Sequence, residues 1–465
     1  MTASSAMARF KTIPRLKTFS PFGNYLEYRK NQLTFFARVA REYGDIAQFR
    51  IGPFQVVQIN SPELVQSFLI EHAHDYDKGE VQRRIFRPLV GNGLLNSEGK
   101  FHTQQRKLMA SAFQPRRLSQ YAATMVDYAN QAQTSWSEGE LLSLDQEMLH
   151  LAMAVVSKVL LDYEIGEDSH QLGVALDLAI KWAKYSTTGL FPLPMFIPTP
   201  RSLQTQKAIR LVKRKIEQVI KERRLNLNNK SDLLSTLIQT QAAELTEGGM
   251  SDIQLRDEIL TIFAAGHETT ARALTWSFYL LARNPEVYTK LQAELEKVLT
   301  GRPPTYADLP DLPYTLQILK EALRLYPPSS IILRAALKDT ELQGYFIGKG
   351  TQVMFSQYLL HRRVDYFPNP EQFDPNRFNL EKEQQIPRYA YLPFGAGHRI
   401  CIGSHFALLE GHLLLATLAQ SIRFELISNQ PVEPELAVTL RPASEIKVKV
   451  IKQPIARNHE KTIIV

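Results

Sequence analysis

The feature that most constrains the fold of this chain is one unusually long helical pattern. It runs from Ser251 to Arg283. Ser251 with Gln254 three residues later is a capping-box signature, and Asn284 followed by Pro285 ends the pattern. A helix of about 33 residues, at about 1.5 Å per residue, spans about 50 Å, far more than the average helix of a globular protein. The other elements must therefore be arranged along it.

The rest of the chain is mostly helical, with a few short strands dispersed through it. Helical periodicity dominates residues 60–325 and returns at 404–420, whereas residues 45–60 alternate and predict a β-hairpin. The length of 465 residues alone would suggest two or three domains, but no linker or repeat divides the chain. We therefore expect a mainly α fold with a small β subdomain. Further strands are predicted at 331–337, 342–347, 351–356 and 437–450, and the expected boundaries are an irregular segment at 1–30, one domain at 31–452 and a tail at 453–465.

Composition and charge narrow the class of protein. A hydrophobic fraction of 44% and a charged fraction of 22% are those of an ordinary globular protein. The net charge of +8 would suit nucleic acid, an anionic membrane or an acidic protein, but the basic residues are dispersed and no nucleic-acid motif accompanies them. No stretch of about 18 apolar residues and no leader pattern are present. We expect a cytoplasmic monomer without a membrane anchor and without a nucleic-acid partner.

The only cysteine of the chain, Cys401, lies in an unusual setting. A lone thiol excludes an intramolecular disulfide framework and a cysteine-rich zinc site, and most lone cysteines are small buried hydrophobes. Here Gly395, Gly397 and Gly403 surround it, and Arg399 lies two residues before it. Glycine allows sharp turns and close approach of the backbone, and amides and a cation stabilise a thiolate. The pattern therefore indicates a metal-ligating thiolate.

The middle of the long helix carries the run Ala265-Gly266-His267-Glu268-Thr269-Thr270. A glycine inside a helix costs about 0.5–1 kcal/mol relative to alanine, and the threonine hydroxyls can bond to carbonyls one turn earlier. Together they favour a local distortion of the helix. The alternative is close packing against a neighbouring element at Gly266, with Glu268 in solvent. A carboxylate beside a hydroxyl also suits proton transfer.

These motifs resemble those of the cytochrome P450 family. The segment from Phe394 to Gly403 matches the family's haem-binding loop at each specified position, and residues 265–270 match its long-helix motif. The Glu321-Ala322-Leu323-Arg324 run matches its Glu-x-x-Arg element, followed by Pro375-Asn376-Arg377-Phe378 at the expected spacing. His102 and Arg106 fit its Trp/His-x-x-x-Arg element, with histidine where tryptophan is usual. The motifs follow the family order from about residue 30 to 450.

The resemblance implies a haem-thiolate monooxygenase that binds haem b, with the long central helix crossing the haem. It implies that Cys401 is the iron ligand, that Thr269 and Glu268 deliver protons where O₂ reacts, and that Gly266 leaves room for O₂. The other residues that it implicates are Phe394, Gly395 and Ala265 around the haem; His102, Arg106, Arg334 and Arg399 at its propionates; and Glu321, Arg324 and Arg377 as a buried supporting network.

No Gly-rich nucleotide fingerprint accompanies these motifs, so we expect electrons to come from a ferredoxin or flavodoxin with its reductase. A basic surface near Cys401, including Arg362, Arg363 and His398, would suit such an acidic partner. Two alternatives remain open at this point. One is a haem-thiolate peroxygenase or isomerase, which the Glu268-Thr269 pair disfavours, and the other is a non-catalytic haem sensor.

The substrate is expected to be small and lipophilic, because the segments that form the pocket in this family are mainly apolar here. The candidate pocket residues are Phe86, Phe191, Phe263, Ile331 and Leu440. Long-chain fatty acids, alkanes and terpenoids or steroids all suit such a pocket. The sequence around Cys401 and in the long helix is more similar to bacterial fatty-acid hydroxylases and microsomal enzymes than to small-terpene enzymes. A fatty acyl substrate is therefore our first prediction and a terpenoid the alternative.

Overall fold

A computed structural model describes residues 10–164, 168–189, 194–226, 232–243 and 250–454. The helices of this part are α1 (Tyr25–Lys30), α2 (Gln32–Tyr43), α3 (Pro62–Gln66), α4 (Gly79–Val90), α5 (Gly99–Ala110), α6 (Pro115–Ser135), α7 (Leu144–Leu161), α8 (Asp168–Thr188), α9 (Pro200–Leu225), α10 (Leu233–Ala243), α11 (Asp252–Arg283), α12 (Pro285–Leu299), α13 (Pro313–Leu325), α14 (Gln357–Leu360), α15 (Leu380–Glu383) and α16 (Ser404–Ser421). The strands are β1 (Ile46–Ile51), β2 (Phe54–Ile59), β3 (Tyr76–Asp77), β4 (Leu141–Ser143), β5 (Ile331–Ala336), β6 (Thr340–Leu342), β7 (Tyr345–Ile347), β8 (Gln352–Ser356), β9 (Ile422–Leu426), β10 (Pro434–Leu436), β11 (Leu440–Pro442) and β12 (Lys447–Lys452). The architecture is mainly α with a small β region, as predicted.

The long helix α11 is the centre of the core. Most of its residues are buried, because α7, α9, α13 and α16 pack around it. A helix that is apolar on nearly all sides belongs in the interior of a large domain. The largest side chains that it buries completely include Trp276 and Phe278. The helix runs from Asp252 to Arg283 with Ser251 as its N-cap, so the predicted boundaries are correct.

Two details of α11 differ from the prediction. The Ser251 side chain accepts a hydrogen bond from the Gln254 backbone at 3.2 Å, but the Gln254 side chain donates to Glu258 at 2.6 Å instead of returning to Ser251. Only half of the predicted capping box is formed. The local distortion predicted around Gly266 does not interrupt the helix. The Thr269 hydroxyl does bond to the Ala265 carbonyl, but the α-helix continues through both residues.

The sheets confirm the predicted hairpin and refine the later strands. The β1–β2 hairpin belongs to a five-stranded sheet of order β1-β2-β8-β5-β3. The strand predicted at 342–347 is instead the β6–β7 hairpin, because Gln343 and Gly344 have φ of 50° and 85° and turn the chain. The predicted strand at 437–450 is divided into β11, which pairs with β10, and β12, which pairs with β9 and β4.

Long apolar helices of the kind that cross a bilayer are not found among the described residues.

Candidate active site

A large cavity lies between α11 and the loop that carries Cys401. Its volume is about 830 Å³, and it also contacts α4, α5, α8, β5 and the turn between β10 and β11. Most of the lining is apolar, as in most small-molecule sites. The residues that sequence motifs single out at positions 265–269 and 394–401 face each other across this space.

The Cys401 loop depends on glycine at two positions. Gly395 and Gly397 both have φ of 71°, a conformation that other residues rarely adopt. A Cβ atom on Gly397 would also lie 2.3 Å from the Leu69 carbonyl oxygen, so a side chain cannot fit there. The Cys401 backbone N–H donates to the Phe394 carbonyl at 3.0 Å and closes the loop. This backbone path brings the cysteine to the cavity wall.

The surroundings of the Cys401 thiol have opposing effects on its pKa. Burial raises the pKa of Cys401, whereas the Gly403 backbone N–H and the Arg106 charge lower it. The amide and the guanidinium therefore favour the thiolate, which is the form that binds a metal. A metal cation at the sulfur would offset the effect of burial.

The opposite wall is formed by the middle of α11. Ala265 is exposed in a helix that is otherwise mostly buried, because its side chain faces the cavity. The Thr269 hydroxyl donates to the Ala265 carbonyl at 2.7 Å, which leaves its own oxygen free to accept a hydrogen bond. Gly266 also lines the cavity, and on its other side a Cβ atom would meet Val156 of α7 at 3.3 Å. Gly266 therefore packs closely against α7 on one side and borders the cavity on the other.

Glu268 is not a solvent-exposed carboxylate. Its side chain is 4% exposed and borders the cavity. The Thr439 hydroxyl donates to Oε1 of Glu268 at 2.7 Å, and an Arg272 nitrogen lies 3.7 Å from the same oxygen. The carboxylate is thus held in the interior, beside Thr269 and at the cavity wall.

His102 and three arginines that the sequence singled out, Arg106, Arg334 and Arg399, converge on one edge of the cavity. His102 is buried, and burial together with the charges of Arg399, Lys78 and Arg106 lowers its pKa to about 3. Arg399 forms an ion pair with Glu98 and donates to the Ser97 carbonyl at 2.6 Å. In the described part of the chain, Arg106 and Arg334 form no ion pair within 4 Å of a carboxylate.

Lys78 is a further basic residue at this edge, and no sequence motif pointed to it. It is 7% exposed, donates to the Leu95 carbonyl and lies close enough to Arg334 and Arg399 for both charges to lower its pKa. In sequence it is an ordinary lysine before a glycine. Only the fold brings it beside His102.

These features fit haem b, the group that the resemblance predicts. Arg106 and Arg334 have no ion pair within 4 Å among the described residues, and cations at a cavity edge are costly unless anions neutralise them; haem carries two propionates. Ala265 and Cys401 both line the cavity, so each is accessible to a group bound there. Among the described residues, no group of three or more His, Cys, Asp or Glu side chains could hold a metal ion by itself.

The predicted supporting network forms a buried cluster. Glu321 and Arg324 are fully buried and make two hydrogen bonds of 2.7 Å each. Arg324 also donates to the carbonyl oxygens of His361 and Pro370, and an Arg377 nitrogen lies 3.4 Å from Glu321. Through these hydrogen bonds the cluster connects α13 to residues 361–374, which precede the Cys401 loop.

The candidate pocket residues divide into three groups. Phe86 and Ile331 line the cavity. Phe263 and Leu440 do not: both are buried in the core behind the wall, Phe263 against His267 at a ring distance of 5.8 Å. Their neighbours line the cavity instead, because helix and hairpin geometry turn the adjacent positions inward; these are Ile262, Ala264, Val438 and Thr439. Phe191 lies outside the described residues.

The proposed basic surface also differs from its prediction. Arg363 forms ion pairs with Asp45 and Asp365, and Arg362 pairs with Glu371 at 3.1 Å. Their charges are therefore already compensated, whereas His398 is exposed beside Cys401. The exposed lysines of α5, Lys100 and Lys107, make no ion pair among the described residues.

Comparison with known proteins identifies the family. The family model "Cytochrome P450" matches residues 14–450. The chain is 35% identical to cyclooctatin synthase of Streptomyces melanosporofaciens over 90% of this chain and 91% of that protein. It is 35% identical to cyclooctat-9-en-7-ol 5-monooxygenase of the same organism, over 86% of this chain and 87% of the relative. It is 32% identical to pentalenene oxygenase of Streptomyces avermitilis, over 88% and 90%.

The chain belongs to the cytochrome P450 family. It is a P450 monooxygenase, an oxidoreductase whose cofactor is haem b held through a cysteine thiolate. The predictions of family, fold class, enzyme class and cofactor are thereby confirmed.

Proposed function

We propose that this monooxygenase hydroxylates an uncharged cyclic terpenoid, with O₂ and with electrons from a separate redox protein. The names of the relatives support the terpenoid class, since they include enzymes of cyclooctatin and pentalenene oxidation. They favour the alternative over the fatty acyl substrate that was our first prediction from the sequence.

The observation that carries this proposal is the distribution of charge in the cavity. Among the described lining residues, lysine and arginine occur only in the cluster that would face the haem propionates. The far end, beneath α8, presents apolar side chains, including Ile85, Phe86, Leu176, Trp182 and Val438. A fatty acid would need a partner there for its carboxylate, whereas a compact hydrocarbon needs only apolar surface.

The cofactor supplies O₂ activation when bound, and thiolate donation to its iron favours O–O cleavage. Cys401, the only cysteine of the chain, would provide the thiolate. His102, Arg106, Arg334, Arg399 and Lys78 would hold the propionates. Gly266 and Ala265 would leave the space above the ring open.

Protons would reach the cavity through Glu268 and Thr269. The Thr269 oxygen can accept a hydrogen bond while its proton is donated to Ala265, and Glu268 is one residue away with one oxygen uncommitted. A positioned acid of this kind typically contributes about 10²–10⁴-fold to a proton-transfer step. This pair also disfavours a peroxygenase, which needs no such relay.

Electrons would enter at the surface beside Cys401. The neighbouring helix is α5, whose His102 ring lies 6.4 Å from that of His398, and its Lys100 and Lys107 are exposed without an ion pair among the described residues. Phe101 of the same helix and Ile400 are 37% and 41% exposed. An exposed apolar centre with a basic rim suits an acidic ferredoxin or flavodoxin.

The test is a titration of the haem absorbance with pentalenene, cyclooctat-9-en-7-ol and palmitic acid, followed by product analysis under ¹⁸O₂. We expect a shift to high spin and one labelled oxygen with at least one terpenoid, and no response to palmitic acid. A response to palmitic acid alone would overturn the substrate class and leave the monooxygenase intact. Purified protein without haem after haem-supplemented expression would contradict the assigned site.

A further inference from the structure

The Glu268 carboxylate lies where three elements meet. Its own helix is α11, the turn between β10 and β11 supplies Thr439, and Arg272 approaches from one helical turn further along α11. Both partners contact Oε1. In the described part of the chain, Oε2 has no hydrogen bond, and Glu268 borders the cavity. One oxygen is thus anchored and the other is available for proton exchange.

Thr439 is held rigidly in place. The β10–β11 pairing runs from Pro434 opposite Pro442 to Leu436 opposite Leu440, and Thr439 is 5% exposed in the turn. The Leu440 N–H donates to the Pro328 carbonyl at 2.8 Å. The Trp276 indole of α11 donates to the Leu440 carbonyl at 3.2 Å. The Thr439 hydroxyl therefore reaches Glu268 from a turn whose next residue, Leu440, is hydrogen-bonded both to α11 and to Pro328.

Arg272 is a buried cation that depends on Glu268. Its side chain is 8% exposed, and its Nε has no hydrogen bond. Glu268 is the carboxylate within 4 Å of it among the described residues. Burial lowers the pKa of Arg272, while Glu268, Asp145 of α7 and Asp177 of α8 raise it and Arg441 of β11 lowers it. A buried guanidinium with a single close acid stabilises negative charge on that acid.

We propose that Thr439 and Arg272 are positioning residues of the proton relay. Thr439 fixes Oε1 of Glu268 by its hydrogen bond, and Arg272 stabilises the charge that remains after Glu268 has passed a proton from Oε2 toward Thr269. The Thr269 hydroxyl passes its own proton to dioxygen that electrons from the redox partner reduce and takes up the one from Glu268, and the carboxylate regains a proton from the solvent. This inference rests on the proposed function, because it presumes that Glu268 transfers protons.

The β10–β11 hairpin, which carries Thr439 in its turn, also contacts the end of the cavity that is proposed to hold the substrate. Val438, one residue before Thr439, packs against the cluster of Ile85, Trp182 and Ala183 and borders the cavity. Glu435 of β10 forms an ion pair with Lys184 of α8. A terpenoid pressed against Val438 would therefore act one residue from the hydroxyl that holds Glu268. The β10–β11 hairpin therefore contacts both the substrate end of the cavity and the carboxylate that is proposed to transfer protons.

The first experiment compares Thr439→Val with Thr439→Ser in NADH-driven turnover of pentalenene or cyclooctat-9-en-7-ol with a surrogate ferredoxin and its reductase. We expect T439V to lower kcat about 10-fold and to divert electrons to hydrogen peroxide, while KM and the substrate-induced spin shift change less than about 2-fold. T439S should restore kcat, since it retains the hydroxyl. Equal kcat in T439V and wild type, or an equal loss in T439S, would overturn the proposal.

A double-mutant cycle then distinguishes the positioning roles of Thr439 and Arg272 from the proton transfer by Glu268. If Thr439 acts through Glu268, T439V should add less than about 2-fold to the loss caused by Glu268→Gln. Arg272→Met should behave in the same way, and its thermal unfolding identifies any general loss of fold. Additive losses would overturn the positioning role. An E268Q variant with wild-type kcat would instead refute the relay in the proposed function.

Product formation driven by hydrogen peroxide supplies the last control, because peroxide already carries the protons that the relay would deliver. We expect T439V and wild type to match in this assay. A 10-fold deficit of T439V with peroxide would mean that the substitution damages the site generally, and would count against the proposal.

Discussion

The two walls of the cavity are constructed in opposite ways. The cysteine wall, residues 394–403, is one continuous loop whose shape follows from its own glycines and a hydrogen bond between Cys401 and Phe394. The helix wall, residues 262–270 with 436–439, combines segments separated by about 170 residues, joined by the Thr439–Glu268 hydrogen bond. Local sequence therefore specifies the first wall, whereas the second exists only in the folded chain.

The largest expected effect comes from the cluster that supports the cysteine wall. Arg324→Met would leave Glu321 buried without its bidentate partner, and breaking such a pair costs about 3–5 kcal/mol. We expect a large fall in the thermal midpoint and weak haem incorporation, measured by calorimetry and the haem-to-protein ratio. A fall in stability no greater than for an exposed arginine such as Arg210→Met would show that the cluster is dispensable.

Gly397 and Gly403 provide a matched pair within the cysteine wall. Gly397→Ala would place a Cβ 2.3 Å from the Leu69 carbonyl at a φ of 71°, and we expect a loss of about 2–4 kcal/mol. At Gly403 the nearest atom is 3.9 Å away, so Gly403→Ala should cost less than about 1 kcal/mol. Chemical denaturation measures both. Equal losses would mean that loop geometry does not distinguish the two glycines.

The corresponding change in the helix wall should affect turnover and spare the fold. Glu268→Gln preserves shape and hydrogen-bonding capacity but cannot supply a proton, so we expect kcat to fall about 10- to 100-fold. The thermal midpoint should fall less than for Arg324→Met, because Glu268 lies 3.7 Å from Arg272, beyond hydrogen-bond distance, and the substituted amide can still accept a hydrogen bond from Thr439. Measured kcat and peroxide release check this, and a destabilised E268Q with normal coupling would contradict the contrast between the walls.

The outer side of the cysteine wall should control electron delivery. Replacing Lys100 and Lys107 by Glu reverses two exposed charges, and we expect the KM for an acidic ferredoxin to rise about 5-fold at low salt and less at high salt. The control is the same charge change at Lys207 and Lys221, exposed on α9. A similar increase in both variants would indicate a general charge effect and no docking surface.

The last prediction concerns the pH dependence of stability and Glu410 of α16, the helix that follows the cysteine wall; Glu410 accepts a hydrogen bond from Thr270 of the helix wall at 2.9 Å. Burial raises its pKa from 4.5 to about 8. Between these values the folded state binds more protons than the unfolded state, so this group makes the protein less stable as the pH rises from about 4.5 to 8. Glu410→Gln should remove that decline. Thermal midpoints of both proteins at pH 6 and 8 test it; parallel curves would contradict it.

Much of the fold could be predicted, because long-range periodicity and turn residues act locally. The bounds of α11, the β1–β2 hairpin and the start of α16 all followed from such signals. The strand at 342–347 was wrong because Gln343-Gly344 was not recognised as a turn. Phe263 and Leu440 were placed in the pocket because an apolar pattern does not say which of two adjacent residues faces a cavity.

The sequence by itself determined the family, the haem-binding loop and the catalytic pair of Glu268 and Thr269 as a hypothesis, since each lies in a short run whose spacing carries the chemistry. Only the tertiary structure decided which groups surround that chemistry. Lys78 beside the propionate edge, and Thr439 and Arg272 at Glu268, are ordinary residues in sequence. The roles proposed for them depend on packing around α11, which excludes water and brings distant charges within a few ångströms, where the interaction is strong.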